Sequence, residues 1–235
     1  MIGDALRYPV GDEIGRATLL RSGISVVAIA VGLRYAAALV PATLALVPAT
    51  VALIGVVVFF GTTSFVLVSD ERRPRPSVRA VVRPGLGALA LAVAVLVPST
   101  ALLARSLTET PEALENGAGL FSLVSSTALV FFFVACTYVY PVAVAASAST
   151  GRLRAAAEAD TLLPVLTDPA YFLRWTVGFS LVVLATWFAV TAVRRGDALG
   201  LIAAAVAAYL HVAGARAVGI GYARASGDRS ASKSR

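Results

Sequence analysis

Residues 49–69 read ATVALIGVVVFFGTTSFVLVS, twenty-one positions without a single charge, ending just before Asp70 and Glu71. A stretch of this length crosses a hydrocarbon core of ~30 Å, which takes ~20 residues at a helical rise of ~1.5 Å each. Lipid offers no partners to backbone N–H and C=O groups, so such a span is a helix that satisfies them internally. Reading outward, five more apolar stretches of comparable length occupy residues 20–40, 85–104, 117–140, 173–193 and 198–220. None of the thirteen Asp and Glu residues lies within any of the six. The sequence therefore predicts an all-α, polytopic membrane bundle of six transmembrane helices.

Composition agrees with this. Hydrophobic residues make up 58% of the chain, above the roughly 45–50% of soluble domains. The longest gap between spans, residues 141–172, is too short for a separate soluble domain. The expectation is one membrane domain over residues 1–222, followed by a basic, irregular cytoplasmic tail at 223–235. The net charge of +7 is explained by basic loops that orient the protein. Nucleic acid is excluded as a partner because no basic segment interleaves with aromatics. Asp4, Asp12 and Glu13 interrupt the first nineteen residues, so no secretory signal is read there and the first span is expected to be retained. The single cysteine, Cys136, stands beside Phe131, Phe132, Phe133 and Tyr138 and is expected to be a buried, inert thiol.

The basic residues set the orientation. Arg7 and Arg16 precede span one; Arg72, Arg73, Arg75, Arg79 and Arg83 follow span two; Arg152 and Arg154 follow span four; Arg224, Arg229, Lys233 and Arg235 follow span six. The opposite side carries only Arg105, Arg194 and Arg195. Thirteen against three predicts both termini in the cytoplasm. Pro41 and Pro48 place the turn between spans one and two, against a five-span alternative that needs one helix of unnatural length. Thr110-Pro111-Glu112 has the order of an N-cap, first-turn proline and acid, with Gly117 to close, and predicts a small external helix. Asp168-Pro169 repeats that logic before span five. Residues 151–166 mix leucines with Arg152, Arg154, Glu158 and Asp160 and predict a short interfacial amphipathic helix. Residues 1–15 have a similar character, with Pro9 expected to break them.

Ionisable groups inside a membrane are costly and are the default functional candidates. Arg34 lies about six residues from the outer end of span one, where it can snorkel outward beside Tyr35 or meet an anion. Arg216 lies near the inner end of span six. His211, the only histidine, is deeper in that span and about 140° away from Arg216 around the helix. Arg34, His211 and Arg216 are thus the candidate lipid or anion contacts. His211 reads either as a packed histidine with one hydrogen bond or as a proton relay.

Absences narrow the function further. With no embedded carboxylate, proton- and sodium-coupled transport lose their usual group. No His/Cys/Asp/Glu cluster suits a metal, and His211 has no acid to orient it in a triad. Gly219-Ile220-Gly221 ends a helix instead of opening one, so no phosphate-cradling loop is present. No catalysis, cofactor or metal is expected. Ala204/Ala208, Ala215/Gly219 and Ala203/Ala207 suit close helix packing, with homo-oligomerisation or a membrane-protein partner as the other use. Ser122, Ser125, Ser126 and Thr127 can bond across helices or line a polar path.

Four stretches together carry a family resemblance: Asp4-Ala5-Leu6-Arg7-Tyr8-Pro9; the Pro/Arg-rich loop 70–84 leading into Gly85-Leu86; Tyr138-Val139-Tyr140-Pro141, followed by Thr150-Gly151-Arg152-Leu153 and the run to Tyr171-Phe172-Leu173; and the closing stretch from Ala215 to Tyr222. In this order they resemble the archaeal, chiefly haloarchaeal, membrane proteins grouped as domain of unknown function 4013. The departures are Ile14, where that family usually has a tryptophan, and Glu158, where it tends to have a phenylalanine. The resemblance implies fold and cell-membrane location and supplies no site residues. The resulting expectation is a non-catalytic structural, lipid-interacting or accessory membrane protein whose partners are anionic headgroups at the inner face. The alternative is a small-solute or lipid transporter with mobile helices near Pro98, Pro141 and Pro164.

Overall fold

A computed structural model describes residues 2–68, 78–115 and 119–232. Short α1 (Ile2–Gly11) leads into the first span, α2 (Glu13–Leu39). A 3₁₀ turn at Thr43–Ala45 precedes α3 (Leu46–Val68). The third span joins α4 (Val78–Leu91), a π turn at Ala92–Leu96 and α5 (Val97–Glu115). Then follow α6 (Gly119–Thr150), a 3₁₀ turn at Leu153–Ala157, short α7 (Ala159–Leu166), α8 (Pro169–Arg194) and α9 (Ala198–Ser232). No strand occurs among the described residues. Six helices are long and apolar enough to cross a membrane, so the six-span reading holds and the protein is a multi-pass membrane protein. The end of the bundle where Arg7, Arg16, Arg152, Arg154 and Arg224 gather is called the basic end below.

The turn between spans falls where the prolines put it: Val40 ends α2 in extended conformation and Pro48 sits in the first turn of α3. Asp168 caps α8 as expected, its carboxylate accepting from the Ala170 N–H at 2.7 Å with Pro169 beside it. Asp12 caps α2 in the same way through the Gly15 N–H at 2.5 Å.

Several local expectations are corrected. Pro9 does not break α1. It forfeits one backbone bond in the last turn and is itself fully buried, so the packing outweighs the loss. Thr110-Pro111-Glu112 opens no separate helix, because α5 continues unbroken to Glu115; Gly117 lies outside the described residues. The segment 151–166 is not one amphipathic helix. Extended backbone at Glu158 splits it into the 3₁₀ turn and α7, with Ala155, Leu162 and Val165 buried and Leu153 and Leu163 exposed. Residues 223–232 continue α9 as helix, past the boundary set at 222. Cys136 is half-buried, not fully enclosed.

Lipid tails are as apolar as leucine, so packing and hydrogen bonds, not hydrophobic expulsion, hold these helices together. α9 is the hub: half of its span is buried, against 17–28% for the other spans, and it touches α1, α2, α3, α6, α7 and α8. Its face of Ala203, Ala204, Ala207 and Ala208 is buried against Val26, Ala30 and Ala192, so this stripe serves internal packing. α8 and α9 approach closely at a glycine pair, where a Cβ on Gly178 would lie 2.7 Å from the Gly214 carbonyl oxygen. Only glycines permit that contact.

Candidate functional site

The sequence candidates do not converge on one site. Arg34 is exposed and its guanidinium lies against Gly196, in the connection between α8 and α9. The side chain therefore reaches the end of the bundle opposite the basic end, as snorkelling requires. In that same connection Arg195 pairs with Asp197 at 3.5 Å, and Asp197 caps α9 through the Gly200 N–H at 3.1 Å.

His211 points to α3. Its Nε2 lies 2.8 Å from the Thr63 hydroxyl and its ring packs on Phe59 at 4.3 Å between centroids. Thr63 donates its only hydroxyl proton to the Phe59 carbonyl at 2.9 Å. His211 must then be the donor to Thr63, which fixes the proton on Nε2. This is the packed-histidine arrangement. Arg216 faces elsewhere, as the 140° offset predicts, with its guanidinium 4.9 Å from the centroid of the Tyr8 ring on α1.

Of the span-four hydroxyls, one bonds across to a neighbouring helix and one bonds back within its own. Ser126 bonds Ser106 of α5 at 2.7 Å, and Thr127 bonds back to the Leu123 carbonyl at 2.8 Å. Other hydroxyls within spans do the same, including Thr18, Ser25, Thr62 and Ser64, each bonding a carbonyl four residues earlier.

A buried aromatic lock was not foreseen. Pro141 in mid-α6 has no N–H for the Thr137 carbonyl, which would be left bare in a dry interior. Trp175 of α8 fills that place, its Nε1–H donating to Thr137 O at 3.0 Å. One residue on, the Tyr171 hydroxyl donates to the Tyr138 carbonyl at 2.9 Å. The Tyr138 hydroxyl in turn donates to Leu166 O at 2.6 Å, closing the end of α7. Tyr138 packs against Tyr171 and Trp175 at 5.1 and 4.9 Å. Pro141 thus sits at a fixed seam and not at a free hinge. Pro98 is accommodated in its own way, by the π turn immediately before it.

At the basic end, α1 packs against α2 and α9 and is tied down by the Tyr209 hydroxyl donating to Leu6 O at 2.7 Å. Beneath it opens a cavity of about 1,080 Å³ lined by Arg7, Arg216 and Arg224 together with Asp4 and Asp12. Tyr8 also lines it, and its hydroxyl is buried with no hydrogen-bond partner among the described residues. Sequence reasoning found Arg216 but not Tyr8; a tyrosine next to a proline in a short polar segment carries no signal of burial.

Protein-family models, curated proteins and solved structures offer no match to this chain. The geometry offers no cluster of three or more metal-ligating side chains among the described residues.

Proposed function

We propose that this protein is a non-catalytic, multi-pass component of the cell membrane that contacts anionic lipid headgroups at its cytoplasmic, basic end and serves a structural or accessory role. One observation carries the reading. Polar groups within the spans are spent on holding helices together, as in the His211–Thr63, Ser106–Ser126 and Trp175–Thr137 contacts, while arginines gather around an open cavity at one end. Juxtamembrane arginines attract anionic headgroups by about 1 kcal/mol each. The order-preserving likeness of four stretches to the archaeal family named above supports the same reading of fold and location. Transport is the less favoured reading, because none of the described cavities is lined by His211 or by the span-four serines.

Native mass spectrometry of the full chain extracted with its lipids tests this directly. Anionic phospholipids should co-purify in excess over zwitterionic ones, and reconstituted vesicles should show no protein-dependent solute uptake. Saturable uptake, or indifference to headgroup charge, would overturn the reading.

A further inference from the structure

The cavity beneath α1 combines three features that rarely meet by chance. Its polar wall carries three arginines against two carboxylates. Asp12 accepts from the Gly15 N–H and Asp4 and Arg216 each have a partner, while Arg7 and Arg224 are exposed to whatever occupies the space. Its lining also includes the apolar Leu67, Val68 and Ile220. Tyr8 lines the same cavity, its ring under Arg216 and its hydroxyl buried without a partner among the described residues.

A buried hydroxyl without a partner calls for an explanation. Water could satisfy it but would leave the charges of the exposed Arg7 and Arg224 unmet. An oxyanion answers both needs, accepting from the hydroxyl and meeting the guanidinium groups with charge-assisted bonds. The cavity's level identifies the carrier. It opens beside Leu67 and Val68, just before the charged stretch that begins at Asp70, and under α1, the depth at which headgroups sit.

We infer that this cavity is a phosphate site, occupied by the phosphodiester of an anionic phospholipid that accepts a hydrogen bond from Tyr8 while its chains leave along Leu67, Val68 and Ile220. The inference rests on the reading of the basic end as a lipid-contacting face and names the place on it.

The test uses the full chain in detergent with added phosphatidylglycerol, phosphatidylcholine or inorganic phosphate, read by native mass spectrometry and thermal unfolding. Wild type should retain one phosphatidylglycerol in preference to phosphatidylcholine. Tyr8→Phe should weaken that retention roughly tenfold, the worth of one hydrogen bond to a charged acceptor, and Arg7→Gln with Arg224→Gln should weaken it further. Arg34→Gln, at the opposite end, should leave it unchanged. Without anionic lipid, Tyr8→Phe should unfold no earlier than wild type, since it removes only an unsatisfied group; earlier unfolding there would mark Tyr8 as structural and overturn the site. Equal retention by wild type and the Tyr8 and arginine variants would overturn the site while leaving general headgroup contact standing. No preference for phosphatidylglycerol in wild type would overturn both. Equal protection by inorganic phosphate would support the oxyanion chemistry and overturn the lipid as its source.

Discussion

Replacing Trp175 by Phe tests the lock between α6 and α8. The change removes the Nε1–H that reaches the Thr137 carbonyl at 3.0 Å and part of the packing on Tyr138 and Phe179. Leaving a buried carbonyl bare costs ~1–3 kcal/mol. Hydrogen bonds between membrane helices are usually worth less, about 0.6 kcal/mol on average and at most about 1.7, because the freed group finds another partner. Here Pro141 removes the nearest alternative donor, so the cost should lie near the top of that range, about 1.5 kcal/mol. Pro141→Ala restores an N–H four residues after Thr137. Trp175→Phe should then lose only its packing contribution, which is common to both backgrounds and cancels in the double-mutant cycle. The assay is reversible unfolding in mixed detergent and lipid micelles, followed by far-ultraviolet circular dichroism, with Trp187 as the remaining fluorescent reporter. A coupling below about 0.5 kcal/mol between the two substitutions would refute the account of Pro141 and Trp175 as a compensating pair.

Other outcomes follow from the packing. Gly214→Ala places a Cβ 2.8 Å from the Gly178 carbonyl oxygen and should cost about 1–3 kcal/mol as overpacking, whereas Gly23→Ala, whose nearest neighbour is the Ala208 Cβ at 3.9 Å, should be neutral or gain up to about 1 kcal/mol of helix propensity; the same unfolding assay ranks them. His211→Leu leaves Thr63 still bonded to Phe59 O, so the loss should stay below about 1 kcal/mol, and a much larger loss would assign His211 more than packing. With Cys136→Ala as background, Thr43→Cys should react with an impermeant maleimide on intact cells and Arg154→Cys only after lysis. Labelling of both from one side would sink the six-span topology.

How much the sequence disclosed depended on the reach of each signal. The spans were legible because lipid demands long uncharged runs, and the Pro41–Pro48 turn and the Asp168 cap because their chemistry is local. Pro141 announced an unsatisfied carbonyl, but its partner Trp175 lies thirty-eight residues from Thr137 along the chain, and only folding brings them together. The π turn before Pro98 was illegible because one extra residue in a uniformly apolar helix leaves no mark on the pattern. Pro9 misled in the other direction: its local penalty is plain in the sequence, and the burial that offsets it is not. At the candidate site, Arg216 stood out as a charge within an apolar run, while Tyr8 gained meaning only once α1 was seen lying over the cavity.

The centrality of α9 bears on how the molecule is made. The ribosome delivers this helix after the five other spans, four of which it touches, so those four enter the bilayer while the faces they turn to α9 have no neighbour. During that interval they depend on pairings between neighbours, such as α2 with α3 and α5 with α6, and the nascent protein is a raft of hairpins. Closure comes when Gly214 meets Gly178 and Gly219 meets the end of α3. A translation product stopped before residue 198 would therefore be inserted yet unassembled, and would offer membrane quality-control proteases five poorly joined helices in place of a bundle.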